Sequence, residues 1–169
     1  MKKLTAVLTT LVLLQLSVAV RHVSAAAASE TVQSLQVKLE RWEVEEVWPE
    51  VQRALAKQPQ DPNLLEVGSH IAFLRGDYQE SLKLIKRSME AGGEDEKRKG
   101  FALFIDQTIN VVAPYKRYET PHFIITLDEK QDGILVDYLT GGLEDTYKVM
   151  AEQYGFRPKE KVRVELFPD

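Results

Sequence analysis

The sequence predicts an α+β fold in which helical hairpins come first and a small strand–helix–strand unit follows. Apolar residues recur at helical spacing as far as Val112, whereas a β-branched and aromatic run, residues 122–127, follows Pro114. In addition, five positions in the segment 44–55 have an echo 34 residues later, a period typical of stacked helical hairpins. The aligned pairs are Val44 with Tyr78, Val47 with Ser81, Val51 with Ile85, Ala54 with Ser88 and Leu55 with Met89.

Residues 1–28 have the three-part layout of a secretory signal peptide. Lys2 and Lys3 give a basic start, an apolar run covers residues 4–20, and the small residues of 24–29 supply a cleavage site. A membrane anchor is the alternative interpretation, but this run is short and interrupted by threonines, whereas a spanning helix needs about 20 mainly apolar residues. The chain has no cysteine, which excludes a lipoprotein anchor and a disulfide framework. We therefore expect an exported protein, periplasmic or secreted, with no stable membrane anchor after leader cleavage.

Removal of that leader makes the chain more acidic. Three of the 22 Lys and Arg residues, Lys2, Lys3 and Arg21, lie within it, while all 26 Asp and Glu residues lie at or after Glu30. The mature chain then has 19 basic and 26 acidic residues and a formal net charge of −7. A nucleic acid or an anionic membrane requires a basic face, so neither is expected as a partner.

Two helical segments are predicted before the best-defined hairpin. Apolar residues recur at helical spacing in 31–39 and again in 40–57. Pro49 interrupts the second segment, so either a new helix starts there or the helix bends. Residues 58–62 contain two prolines and predict a turn.

Residues 63–91 predict a helical hairpin that ends at a pair of glycines. Gly76 would supply the left-handed residue that ends the first helix, and Asp77 would cap the second. Either Asp61 or Asn63 would cap the first.

A third helix is predicted to begin in the charged run that follows and to stop before Pro114. Acidic residues 94–96 precede basic residues 97–99, which suits the helix dipole and the pairs Glu94–Arg98 and Asp95–Lys99. We interpret this run as the solvated start of a helix rather than as a binding patch.

The remaining elements are a strand over 122–127, a polar turn over 128–132, a helix over 134–154 and a strand over 161–167. The alternation of apolar and polar residues in both strands predicts that each has one buried face. We predict that the two strands pair and that the helix covers the sheet face holding Phe123 and Val164.

Two adjacent glycines, Gly141 and Gly142, lie in the middle of this predicted helix. Each should cost about 1 kcal/mol relative to alanine. The sequence leaves two explanations open, namely close packing against a neighbouring element or two shorter helices.

The region from Trp42 to Gly93 resembles tetratricopeptide repeats, with the best match in the hairpin Asn63–Gly93 and its turn Gly76-Asp77-Tyr78. It departs from the family pattern where Gly93 replaces the closing proline. The resemblance implies a concave surface that binds an extended peptide, lined by the first helix of the hairpin. The residues that would line it are Asn63, Glu66, His70 and Phe73, and the alternative is that these are ordinary solvated side chains. Glu66 and His70 do not match the basic clamp that some members use for a carboxylate.

The region from Tyr118 to Asp169 resembles the opening of the peptidase MA-like, or gluzincin, domain. The resemblance rests on the segments 118–125, 143–147, 154–158 and 161–167. It implies a strand, a long helix and a second strand that precede a zinc-binding helix carrying H-E-x-x-H. That motif is absent here, because the histidines are His22, His70 and His122 and none has a second histidine four residues later. No catalytic residue and no metal ligand is therefore assigned, and zinc is expected only in a longer parent protein.

These observations predict three regions: a signal peptide over 1–28, a helical repeat domain over 30–113 and a partial peptidase MA-like domain over 117–169. The leading functional hypothesis is an exported repeat protein that binds or scaffolds a protein or peptide partner, without catalysis in this chain. The alternative is that the chain is the N-terminal fragment of a secreted zinc metallopeptidase. A third hypothesis is an α+β domain that pairs with another chain through an open strand edge.

Overall fold

The computed structural model describes residues 31–41 and 44–167. The predicted signal peptide and Trp42 lie outside the described residues. Within them the fold is α+β, mostly helical with one small sheet, as the sequence predicts.

Five helices form the first half of the described chain, and their boundaries recur with the predicted period. They are α1 (residues 31–40), α2 (Val44–Lys57), α3 (Pro62–Leu74), α4 (Tyr78–Gly92) and α5 (Glu96–Val112). The first residues of α2 and α4 are 34 positions apart, and so are those of α3 and α5. In space α3 packs against both α2 and α4, and α4 packs against α5.

Two of the five aligned pairs of the 34-residue echo are fully buried in the helical core. Val51 on α2 and Ile85 on α4 are both fully buried, and so are their aligned neighbours Val47 and Ser81. Burial of the three apolar side chains among these four is the main stabilising contribution for helices of this length. The core around them contains Leu35, Leu64, Leu65, Val67, Ile71, Ala72 and Leu84.

Of the two caps that the sequence left open for the first helix of the hairpin, Asp61 is the one that the structure shows. The carboxylate of Asp61 accepts hydrogen bonds from the backbone N–H groups of Asn63 and Leu64, at 2.9 and 3.0 Å, and so caps α3. Helix α2 runs through Pro49 from Val44, so no new helix begins at that proline. A close approach of α3 to α2 is possible because Gly68 has no side chain, and an added Cβ would lie 3.2 Å from Val51 Cγ1.

The prediction for the turn between α3 and α4 is confirmed for the backbone of Gly76 and wrong for the side chain of Asp77. Gly76 has a φ of 73°, the left-handed conformation that ends α3. Asp77 occupies the cap position of α4 but makes no side-chain capping bond. Its carboxylate instead accepts a 3.1 Å hydrogen bond from Arg75 Nε. Two buried serines lock the two helices, because each hydroxyl of Ser69 and Ser81 donates to the other's carbonyl at 2.8 Å.

The second half of the described chain is a three-stranded sheet with one long helix on one face. Strand β1 (Lys116–Glu119) pairs antiparallel with β2 (Phe123–Leu127), and β2 pairs parallel with β3 (Val162–Glu165). A short helix α6 (Glu129–Asp132) and a 3-10 turn (Gly133–Leu135) lead from β2 into α7 (Val136–Tyr154). The predicted polar turn over 128–132 is therefore wrong in part, because it contains a short helix capped by Asp128.

The predicted pairing of the two strands and their cover by the helix are confirmed. Phe123, Ile125 and Leu127 alternate towards the buried face of β2, and Val164 of β3 joins them. The α7 side chains that pack on this face are Val136, Leu139, Leu143 and Tyr147.

The tip of the hairpin contacts the opposite face of this sheet. The Tyr78 hydroxyl donates to the Glu165 carboxylate, and Arg163 Nη1 lies 3.8 Å from Asp77 Oδ1. Burial, and then the hydrogen bond to Glu165, raise the pKa of Tyr78, so this hydroxyl stays protonated and remains a donor. A Cβ on Gly76 would lie 3.4 Å from Arg163 Nη1, an ordinary contact, so the left-handed backbone of Gly76 and not this approach requires glycine.

Neither explanation offered by the sequence for Gly141 and Gly142 is correct. Both lie inside the single continuous helix α7, and an added Cβ at either position would meet no described atom within 4 Å. The two glycines therefore only weaken the helix.

Alanine at either Gly141 or Gly142 is expected to stabilise the protein by about 1 kcal/mol, because alanine restricts the unfolded chain and has the higher helix propensity. Urea unfolding of each variant followed by circular dichroism measures the change. Gly155→Ala is the matched control. Its φ of 66° is strained for alanine, so this variant is expected to lose about 1 kcal/mol. A loss of stability in Gly141→Ala would contradict the open space around α7.

Candidate functional site

A groove of about 430 Å³ lies between α1, α3 and the start of α5. Its volume is within the range of sites that hold small ligands or short peptide segments. Its lining combines apolar, amide, imidazole and charged side chains. These are Val32, Gln36 and Leu39 from α1, Asn63, Glu66, Val67 and His70 from α3, and Lys97 from α5.

Three of the four predicted binding residues line this groove together. Asn63, Glu66 and His70 are spaced by three and four residues, so they lie on one face of α3. The opposite face of α3 holds residues such as Leu65 and Ala72, which are fully buried. Helix α3 therefore has one face in the core and another in the groove.

Phe73, the fourth predicted binding residue, does not line the groove. Its ring packs instead among three aromatic rings on α4 and α5, with centroids 5.1 to 5.7 Å away. The rings are those of Tyr78, Phe101 and Phe104. Phe73 is one turn beyond the groove residues, where the rings of Phe101 and Phe104 on α5 lie against it.

An ion-pair network fixes the floor of the groove. Glu66 Oε2 lies 3.0 Å from Arg98 Nε, and its Oε1 lies 3.0 Å from Lys97 Nζ. Burial raises the pKa of Glu66, but hydrogen bonds and charges from Lys97 and then Arg98 outweigh burial and leave the pKa below its usual value. Glu66 is therefore an anion at neutral pH, and the three groups together have a net charge of +1.

The interpretation of residues 94–99 as a solvated run is wrong for Arg98. Its side chain is 11% exposed, whereas that of Lys97 is 78% exposed. The predicted charge pairs also differ, since the structure pairs Lys99 with Glu94 and Arg98 with Asp95. Arg98 lies under the groove because the first half of α5 lies beside α3, with Arg98 at Glu66 and Phe101 at His70.

Arg98 also orients Asn63 at the rim of the groove. Its Nη2 donates to Asn63 Oδ1 at 3.4 Å. This bond uses the amide oxygen of Asn63, which is one of the groove's lining residues, and leaves its NH₂ group as a donor. A side-chain amide held this way can donate to a backbone carbonyl of an extended peptide.

His70 forms one wall and is held as a neutral ring. It stacks on Phe101 with 4.0 Å between centroids and an angle of 20°. Desolvation lowers the pKa of His70, and Glu66 opposes this effect only in part. A neutral imidazole offers one donor and one acceptor to a ligand, together with an apolar ring face.

A second polar cluster lies at the start of β2, outside the groove. The Glu144 carboxylate on α7 accepts hydrogen bonds from Thr120 Oγ1 at 2.6 Å and from the backbone N–H of His122 at 2.9 Å. His122 Nδ1 lies 2.7 Å from the other oxygen, and the imidazole stacks on Tyr147 with 3.7 Å between centroids. His122 is half-buried, and its contacts join the β1–β2 turn to α7.

No cluster of three or more His, Asp or Glu side chains that could hold a metal ion occurs among residues 31–41 and 44–167. That the chain binds no zinc stays a prediction. No helix in the described part of the chain is long and apolar enough to cross a membrane.

Comparison with known proteins adds no further assignment. No protein-family model, no curated protein and no solved structure matches this chain.

Proposed function

We propose that this chain is an exported scaffold protein that holds an extended segment of a protein or peptide partner in the groove between α1, α3 and α5. The observation that carries the proposal is that Asn63, Glu66 and His70 line one groove together, with Lys97 paired to Glu66 in the same lining. Amide, imidazole and ammonium groups beside apolar Val67 suit a peptide backbone with mixed side chains.

The resemblance to tetratricopeptide repeats supports the same proposal. Alternate helices, α1, α3 and α5, line the groove, while α2 and α4 pack behind them. In repeats of this type every first helix lines the binding surface, and helix starts 34 residues apart are the spacing expected of them. We propose that 30–113 is a repeat domain of this class and that residues 1–28 direct its export.

Selection from a phage-displayed library of random linear peptides tests this function. We expect the full chain to enrich peptides of a common sequence pattern, and we expect His70→Ala to weaken the best of them by about tenfold, equivalent to about 1.4 kcal/mol. His122→Ala is the matched control because that imidazole is also half-buried and stacked on an aromatic ring but lies outside the groove. Failure to enrich any pattern, or equal losses in the two variants, would contradict the proposal.

A secreted zinc metallopeptidase remains the second proposal, carried by the order of β2, α7 and β3. The resemblance to the peptidase MA-like domain implies a strand, a long helix and a second strand, and β2, α7 and β3 follow one another in that order. In that case 117–169 would belong to the part that precedes the zinc helix. Reading the gene beyond the codon of Asp169 is the test. An H-E-x-x-H motif within about a hundred codons supports the proposal, and a stop codon directly after Asp169 contradicts it.

A further inference from the structure

Strand β3 has an unpaired edge. It lies at one end of the strand order β1-β2-β3, and β2 is the one strand among the described residues that pairs with it. Val162 N donates to His122 O at 2.8 Å and Leu166 N to Thr126 O at 3.0 Å, so the even-numbered residues use their backbone groups towards β2. Backbone groups alternate in direction along a strand, and those of Arg163 and Glu165 therefore point away from the sheet.

The other edge of the sheet is better protected against pairing. Strands β1 and β3 are each four residues long, but Pro114 and Pro121, which cannot donate ladder hydrogen bonds, lie two positions from the ends of β1. The Lys116 side chain pairs with Glu129, and Arg117 pairs with Glu119 at 3.2 Å. Charged side chains and flanking prolines are common protection for an edge strand.

We infer that β3 pairs antiparallel with β3 of a second copy of this chain, about a two-fold axis at Val164. In this register Arg163 lies opposite Glu165 of the second copy, and Glu165 lies opposite its Arg163. These are the residues whose backbone N–H and C=O groups point outwards, so each pair exchanges ladder hydrogen bonds. The edge is thus self-complementary in its backbone as well as in charge.

The side chains on both faces of the edge match this register. On one face an arginine meets a carboxylate in each symmetry-related pair, with the Arg163 side chain 36% exposed. Glu165 accepts from Tyr78 through Oε2, which leaves Oε1 for the second copy's arginine. On the α7 face Val162, 37% exposed, lies opposite Leu166 of the second copy, an apolar pair.

Sedimentation velocity and light scattering of the full chain between about 5 and 200 µM test the inference. We expect a concentration-dependent dimer. Arg163→Glu places like charges opposite each other in both pairs and is expected to weaken dimerisation by about tenfold or more. The exchange R163E/E165R restores complementary pairs and should restore the dimer. Arg117→Glu, on the same sheet face but at the β1 edge, is the matched control and should dimerise like the unaltered chain.

A second variant, Arg163→Pro, distinguishes loss of the dimer from loss of the fold. It removes an outward N–H group without touching the bonds of Val162 and Leu166 to β2, and it is expected to give a monomer with an unchanged circular dichroism spectrum. A full chain that stays monomeric at about 200 µM overturns the inference, whether the edge is free or taken by another segment. A dimer that R163E and R163P leave intact overturns it as well.

Discussion

Replacing Ile125 with alanine is expected to lower the free energy of unfolding by about 2–5 kcal/mol. Ile125 is fully buried in the middle of β2, between Phe123 and Leu127, and it faces α7. Alanine leaves a cavity where the sheet and helix meet. Three strands and one helix form a small core, so little else can compensate for the lost contacts.

Ile124→Ala is the matched control for this prediction. Ile124 is the same residue type one position earlier, on the sheet face away from α7, and it is only half-buried. We expect its substitution to cost less than half as much in urea unfolding followed by circular dichroism and by Trp fluorescence. An equal or larger cost for Ile124→Ala would show that α7 does not cover the face assigned to it.

Glu144→Ala is expected to cost about 2–3 kcal/mol, the second largest effect. The carboxylate is 15% exposed and accepts hydrogen bonds from Thr120 and from the backbone of His122, with His122 Nδ1 at 2.7 Å. Without it the donors at the start of β2 are unsatisfied, and α7 loses its polar attachment to the β1–β2 turn. Asp145→Ala, next along α7 and on the exposed side, is the control and should cost less than 0.5 kcal/mol.

The lowered pKa of Glu144 predicts how the free energy of unfolding depends on pH. Burial raises the pKa of Glu144, but the hydrogen bonds from Thr120 and then His122 outweigh burial and lower the pKa to about 2, from an ordinary value of 4.5. A pKa lowered by folding stabilises the native state above the unfolded value, and this stabilisation is lost as pH falls through the folded value. The lost stability should therefore appear between about pH 4.5 and pH 2.

Comparison with Glu144→Gln isolates this contribution from those of the other carboxylates. We expect the unaltered chain to be more stable than the variant at pH 7 and the difference to shrink as pH falls from about 4.5 to 2. Urea unfolding at intervals across this range measures it. A difference that stays constant from pH 7 to pH 2 would contradict the assignment of the ionised form.

The sequence predicted the helices and strands whose apolar pattern lies within the element itself. The helices around the 34-residue echo, the strand at Phe123 and the long helix α7 each have a run of apolar residues at the right period. Strand β1 was missed because Lys116-Arg117-Tyr118-Glu119 has three charged residues and no apolar alternation. It becomes a strand only because β2 lies beside it to form the ladder.

The α3 side of the groove was predictable from sequence because its pattern is also local. Helical spacing alone places Asn63, Glu66 and His70 on one face of α3. The contacts that place Arg98 under the groove and Phe73 outside it depend on how α5 packs beside α3, which local sequence does not encode. The link between Glu144 and His122 likewise joins residues 22 positions apart through tertiary packing.

A nuclear magnetic resonance titration of the ¹⁵N-labelled chain with the best selected peptide tests the central claim most directly. The claim is that an extended peptide binds between α1, α3 and α5. We predict saturable chemical-shift changes for the amides of 32–39, 63–70 and 97–98, with those of β1 and β3 unchanged. Changes centred on the sheet, or no saturable change in the groove at millimolar peptide, would contradict the claim.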